Sequence, residues 1–133
     1  MGQNQIALDM FESDAASRKL GIELVELSDG SATMSMAVTE DMVNGHGITH
    51  GGYVFILADT TFAMACNSRD DAAVAARCDI RYLRPTKAGD VLVAQAVERA
   101  RFGRNGIYDV AVSCSNNVVV EFRGDSRTIL NPK

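Results

Sequence analysis

Cysteine, proline and long apolar runs are scarce in this sequence of 133 residues. The three cysteines, Cys66, Cys78 and Cys114, are odd in number and lack CxxC spacing. That argues against a disulfide framework or a cysteine zinc site and reads as reduced thiols. The two prolines, Pro85 and Pro132, make no linker, and no repeat or low-complexity stretch divides the chain. A single domain over residues 1–133 is expected. No apolar run approaches the roughly 18 residues that a membrane-crossing helix needs. The opening, MGQNQIALDMFESD, has no basic region followed by an apolar core, so a cytoplasmic location is expected.

Positive charge is also in deficit: 13 Lys and Arg stand against 17 Asp and Glu, a net charge of −4. Nucleic-acid binders are usually basic overall, so that class is excluded. The charge is unevenly spread. Residues 1–71 carry 3 basic and 11 acidic side chains, whereas residues 77–104 carry 7 basic and 3 acidic. Such a basic stretch either is a solvated face or holds a discrete anion. With 47% hydrophobic and 23% charged residues, the remainder has the composition of an ordinary globular domain.

Periodicity supplies the elements. Residues 5–19 place Ile6, Leu8 or Met10, and Phe11 near helical spacing, predicting a short amphipathic N-terminal helix. Two strands, 22–27 and 32–38, flank the turn pair Asp29-Gly30; in the second, Met34, Met36 and Val38 alternate with Thr33, Ser35 and Ala37. A glycine-rich loop, 44–52, leads into residues 53–67, which are apolar almost all round and predict a helix buried on every side. Strands over 74–83, 91–101, 107–114 and 118–129 follow, with hairpin turns at 103–106 and 115–117. Helix, two strands, buried helix and four strands suit an α+β architecture, an antiparallel sheet wrapped around one long central helix. One such sheet covers only part of that helix, so a second copy of the chain is expected to cover the rest.

Asp59 stands in the middle of that apolar helix, where an ionised carboxylate is costly unless partnered. It is a structural ion pair with Arg77, Arg81 or Arg84, a cap or helix break with Thr60 and Thr61, or a base or nucleophile in a dry site. His50-Gly51-Gly52 directly precedes the helix, where backbone N–H groups are unpaired at the positive end of its dipole. That arrangement suits an anion or a developing oxyanion, and glycine permits close approach; the structural alternative is a tight turn. Gly51 and Asp59 are eight residues apart, about 12 Å along a helix. One carbonyl cannot touch both within a single chain, so joint action requires two subunits. Asn44 is either a substrate-directed donor or a turn residue. His46 and His50 lie in a loop with no third ligand, so no metal is expected. Cys66 has no evident base and reads as core.

Taken together, NGHGITHGGYVFILADTTFAMACNS, DIRYLRPTKAGD and FRGDSR resemble the hotdog-fold acyl-CoA thioesterases, in the subgroup of the phenylacetic-acid-degradation enzyme. The resemblance runs from about residue 10 to 129, and its most specific element is the spacing of Asn44, His50, Gly51, Gly52 and Asp59. It implies the hotdog fold and hydrolysis of an aryl-acyl-CoA such as phenylacetyl-CoA or hydroxyphenylacetyl-CoA, with no metal or redox cofactor. Asp59 matches the catalytic carboxylate, Gly51 the backbone donor from the opposite subunit, and Asn44 and His50 residues lining the reaction centre. Gly52, Arg84, Lys87, Arg101 and Arg104 become candidates for substrate and CoA phosphates. The resemblance also implies a homodimer with shared sites, assembled into a homotetramer. Tyr53, Phe55, Leu57 and Phe62 are candidate acyl-pocket residues. Where some relatives carry a serine or threonine after the central helix, this chain reads Val74-Ala75-Ala76, which leaves the water-positioning residue unassigned, with Thr60 and Asn67 as substitutes. The rival readings are a hydratase or dehydratase, a non-catalytic acyl-CoA-binding module and a purely structural dimer.

Overall fold

The computed structural model describes residues 3–129; the outermost residues of the expected 1–133 domain, Pro132 among them, lie outside the described residues. Two short helices, α1 (Gln5–Glu12) and α2 (Ala15–Lys19), precede the hairpin β1 (Glu23–Ser28) and β2 (Ser31–Ala37). A 3-10 turn, Glu40–Met42, leads through the glycine-rich loop to α3 (Gly51–Cys66). Four strands complete the chain: β3 (Ala73–Tyr82), β4 (Val91–Phe102), β5 (Asn105–Cys114) and β6 (Asn117–Thr128). Among the described residues the strands form one antiparallel sheet in the order β1-β2-β4-β5-β6-β3.

The sheet curls around α3 because one side of each central strand is apolar. Ala32, Met34 and Met36 of β2 are buried, as are Leu92, Ala94 and Ala96 of β4, Tyr108, Val110 and Val112 of β5, and Val120 and Phe122 of β6. This period-two burial lets each strand cover the helix with every second residue. Against them lie Leu57, Ala58, Phe62, Met64 and Ala65 of α3, all essentially without solvent contact. Phe62 meets Tyr108 and Phe122 edge-on or tilted, with ring centroids at 5.8 and 5.7 Å. Tight turns close the hairpins. Ser115 and Asn116 both have positive φ, 50° and 69°, matching the mirror-image turn whose twist suits paired strands.

Two expectations need correction. The N-terminal helix predicted over 5–19 is broken at Ser13 and Asp14. Asp14 accepts the Ser17 N–H at 3.0 Å and the Ser17 hydroxyl at 2.7 Å. An Asp that caps the following turn starts a new helix rather than continuing the old one. The central helix begins at Gly51, two residues earlier than predicted, while the sheet of one chain covers only part of it, as expected. Gly52 is exposed and Phe55, Ile56, Asp59 and Ala63 are half-buried, forming a stripe at helical spacing that the sheet leaves open. Asn67 finishes α3: its Nδ2 donates to the carbonyls of Ala63 and Ala73, and its Oδ1 accepts the Ala73 N–H at 2.9 Å.

Gly124 on β6 faces the Phe62 ring so closely that an added Cβ would lie 2.7 Å from two ring carbons. Phe62 is buried and has nowhere to retreat. Gly124→Ala should therefore cost about 1–3 kcal/mol through overpacking, read as a lower urea midpoint. Adding Phe62→Leu should recover part of that loss.

Candidate active site

The first turn of α3 and the loop before it are held by a dense set of short-range bonds. Asn44 Oδ1 accepts the N–H groups of His46 at 2.9 Å and Ile48 at 3.3 Å, so the turn reading of Asn44 holds for its oxygen. Its Nδ2 has no acceptor among the described residues. Thr49 N–H donates to the Thr86 carbonyl at 2.8 Å and the two buried hydroxyls meet at 2.6 Å, tying the loop to the segment between β3 and β4. The His50 N–H donates to the Met42 carbonyl at 2.7 Å.

His50 then caps α3. Its Nδ1 accepts the Gly52 N–H at 3.0 Å, and its carbonyl accepts the Tyr53 N–H at 3.0 Å. An accepting Nδ1 puts the proton of the neutral ring on Nε2. The Gly51 N–H, just before these two, meets no acceptor among the described residues. At the positive end of the helix it is a donor without a partner.

Tyr82, at the end of β3, was not singled out in the sequence. Its hydroxyl donates to the Gly51 carbonyl at 2.9 Å, and a Cβ on Gly51 would lie 3.0–3.2 Å from the tyrosine ring and hydroxyl. Nothing in sequence spacing couples positions 51 and 82; the pairing exists only once β3 has packed beside α3. Gly51, Tyr82, Asn44, Val54 and Arg84 all line one open cleft of about 430 Å³.

Asp59 lies two turns further along the helix. It is half-buried and takes part in no ion pair or side-chain hydrogen bond among the described residues. Arg81 pairs with Asp79 at 3.0 Å and Arg84 donates to the Val118 carbonyl at 2.6 Å, so neither serves Asp59. The helix passes through Asp59 unbroken, which removes the cap reading. Burial pushes the Asp59 carboxyl above the ordinary carboxylate range, and the negative charge of Asp14 adds to the effect. Burial also pushes the Cys66 thiol up to about 12, which leaves it a protonated core residue and no nucleophile.

The remaining candidates divide. Leu57 and Phe62 are core, whereas Tyr53 and Phe55 are half-buried, Phe55 on the open stripe of α3 and Tyr53 against the His50 ring. Asn67 spends its amide on Ala63 and Ala73, and the Thr60 hydroxyl lies 2.8 Å from that of Ser17. Arg84 and Lys87 lie near the first turn of α3, with Lys87 3.8 Å from Asp90. Arg101 pairs with Asp71 at 3.5 Å, Arg104 donates to the Thr128 carbonyl at 3.0 Å, and both line a small crevice beside Cys66 at the other end of the helix. A single chain therefore brings together Asn44, His50, Gly51 and Arg84, and keeps Arg101 and Arg104 about 20 Å or more away. Among the described residues no three His, Cys, Asp or Glu side chains converge to hold a metal ion, and no helix is long and apolar enough to cross a membrane.

Residues 46–121, more than half of the chain, match the family model of the thioesterase superfamily. The chain belongs to that superfamily. Its architecture is the hotdog fold, and its activity is that of a thioester hydrolase of the acyl-CoA class. It is 46% identical to acyl-coenzyme A thioesterase PaaI of Escherichia coli over 94% of this chain and 90% of that protein. The structure of the E. coli PaaI protein from the phenylacetic acid degradation operon superposes with a TM-score of 0.93 at 44% identity, covering 96% of this chain and 93% of that one. A mutant of the phenylacetic acid degradation protein PaaI from Thermus thermophilus superposes with a TM-score of 0.85 at 35% identity, covering 87% of this chain and all of that one. The matched span of the thioesterase model contains His50, Gly51, Gly52 and Asp59 and ends within β6.

The raised Asp59 pKa has a direct stability consequence. A carboxyl whose folded-state pKa is raised favours folding in acid, and that contribution is lost as pH rises from the ordinary value of 3.8 through the raised one. At pH 7 the charge therefore opposes folding. Asp59→Asn should unfold at a higher temperature than wild type at neutral pH. The difference should shrink as pH falls toward 3.8, measured by thermal melts across a pH series.

Proposed function

We propose that the chain hydrolyses aryl-acyl-CoA thioesters such as phenylacetyl-CoA or hydroxyphenylacetyl-CoA to the free acid and CoA. Asp59 takes a proton from water, or attacks the thioester itself to form a short-lived mixed anhydride. The N–H of Gly51 of the partner subunit polarises the thioester carbonyl and stabilises the oxyanion that forms. His50 and Asn44 line the reaction centre, and Gly52 lets the substrate approach the backbone closely. Water, one carboxylate and one backbone donor suffice for this chemistry.

The observation that carries the reading is a pair of groups on one helix without partners among the described residues: the Asp59 carboxylate and the Gly51 N–H. Eight residues of helix separate them by about 12 Å, too far for one carbonyl, so the productive pair spans two subunits. The open stripe on α3 supports such a dimer. So does the outer edge of β3, whose sole pairing among the described residues is with β6; an unpaired ten-residue edge favours addition of another strand. Antiparallel joining of two β3 strands sets the two α3 helices antiparallel as well. Asp59 of each chain then approaches the first turn of the other, and Arg84 and Lys87 of one chain approach Arg101 and Arg104 of its neighbour as the candidate phosphate track. Such dimers pair further into a homotetramer.

The aryl group rests on kinship with the two PaaI proteins tied to phenylacetic acid degradation. Phe55, half-buried one turn before Asp59 on the open stripe of α3, and Tyr53, whose ring meets the His50 ring edge-on at 6.1 Å, offer ring faces for an aromatic acyl group. A panel of phenylacetyl-, hydroxybenzoyl- and fatty acyl-CoA esters tests it, with the arylacetyl esters expected to give the highest kcat/KM.

Subunit complementation tests the mechanism. Asp59→Asn should lower kcat by about 10²–10⁴-fold with substrate binding retained. Gly51→Pro removes the donor at the first helical position, whose backbone suits proline, and should be equally impaired. Because any Cβ there meets Tyr82 at 3.0–3.2 Å, it is read against Gly51→Ala, which carries the same Cβ but keeps the N–H and should retain far more activity. Refolding the two impaired variants together should restore about one quarter of wild-type activity, because half of the dimers are mixed and each has one intact site. No recovery on mixing, with mixed dimers demonstrated, would refute the shared site.

A further inference from the structure

Asp14 lies 45 residues before Asp59 in sequence, yet the fold ties its carboxylate through two hydroxyls to Thr60, the residue that follows Asp59 on α3. Its carboxylate is not loose. Oδ1 accepts the Ser17 N–H at 3.0 Å and Oδ2 accepts the Ser17 hydroxyl at 2.7 Å. The Ser17 oxygen in turn lies 2.8 Å from the Thr60 hydroxyl, in a contact buried between α2 and α3. An ionised carboxylate only accepts, so the Ser17 proton points to Asp14 and the Thr60 proton points to Ser17. The chain of three ends one residue from Asp59. No lysine or arginine pairs with either aspartate among the described residues.

The surroundings of Asp59 contain little else to set its charge. On its own helix Cys66 is protonated, and β3 offers Cys78, whose thiol is likewise pushed up by burial. From β4 and β5 come Glu98 and Tyr108, but the glutamate is paired with Arg69 at 3.0 Å and accepts the tyrosine hydroxyl at 3.1 Å. The acids of α1 and β1, Asp9, Glu12, Glu23 and Glu26, are exposed. The inward residues of β2 and β6 are uncharged.

We propose that Asp14 is a positioning residue for hydrolysis: tied through Ser17 to Thr60, it holds a negative charge against the turn of α3 that carries Asp59 and strengthens Asp59 as a proton acceptor. The proposal rests on the reading of Asp59 as the base. A carboxylate is a weak base, and a like charge nearby raises the free energy of its ionised form and so its drive to take a proton. The cost is that both charges must be kept in place, which the Ser17 link and the cap of α2 accomplish.

The alternative is that Asp14 merely caps α2, and the choice of substitution separates the two. Asparagine and serine cap helices about as well as aspartate but carry no charge. In wild type, kcat/KM for an acyl-CoA thioester should rise with pH along an acidic limb set by Asp59. Asp14→Asn and Asp14→Ser should both keep the wild-type circular dichroism spectrum, yet move that limb to lower pH by about half a unit or more. They should also lower the plateau kcat severalfold with KM little changed. A limb that stays in place in either folded variant overturns the proposal, whatever happens to kcat. Asp59→Asn serves as the control. If that variant retains turnover, Asp59 is not the base and the underlying reading fails. If it is inactive and the limb is unmoved by Asp14→Asn, only the role of Asp14 fails.

Discussion

Everything in this fold answers to one constraint: α3 is apolar around nearly its whole circumference and must be kept from water. A single helix cannot hide itself, so the strands curl about it and present every second side chain to it. The match is close enough that Phe62 occupies volume left by the missing side chain of Gly124. The same constraint explains what remains open. A curled sheet closes on a cylinder from about three sides, and the fourth carries Phe55, Ile56, Asp59 and Ala63. The most costly group in the helix therefore stands where its covering is incomplete.

That placement links packing to chemistry. A carboxylate surrounded by protein on most sides is poorly solvated, and the energy that opposes its charge is available when it accepts a proton. At the other end of the helix the backbone dipoles leave a partial positive charge on the Gly51 N–H. His50 occupies the neighbouring amide of Gly52, so one donor stands apart from the rest. On the proposed reading, a thioester held between two chains meets both demands: its carbon faces the Asp59 of one chain, and its oxygen takes the Gly51 N–H of the other as the tetrahedral state forms. Tyr82 holds the Gly51 carbonyl and so stiffens the turn that carries that donor.

Much of this was legible in the residue pattern. Strand positions followed from alternation, because Met34 and Met36 or Leu92 and Ala94 can only share a face when the backbone is extended. The long helix followed from an apolar run with no glycine or proline after Gly52, and Asp59 stood out because it interrupts that run. The break between α1 and α2 was missed because apolar spacing continued past Ser13, while the decisive feature was a local one, the Asp14 side chain turning back on Ser17. Tyr82 was hidden for a different reason. Its meaning depends on β3 lying at the edge of the sheet beside α3, and strand order is decided by long-range pairing that leaves no mark in local sequence. Asn67 looked like a polar group free to hold water, and only the three-dimensional arrangement reveals that its hydrogen-bonding capacity is already used.

Asn67 ties two parts of the molecule that have separate duties. The same amide ends the helix carrying Asp59 and begins the strand whose outer edge is free. The final turn of the central rod and the opening residue of the sheet's border are thus moored at a single point, so that a displacement of either is passed to the other through one side chain.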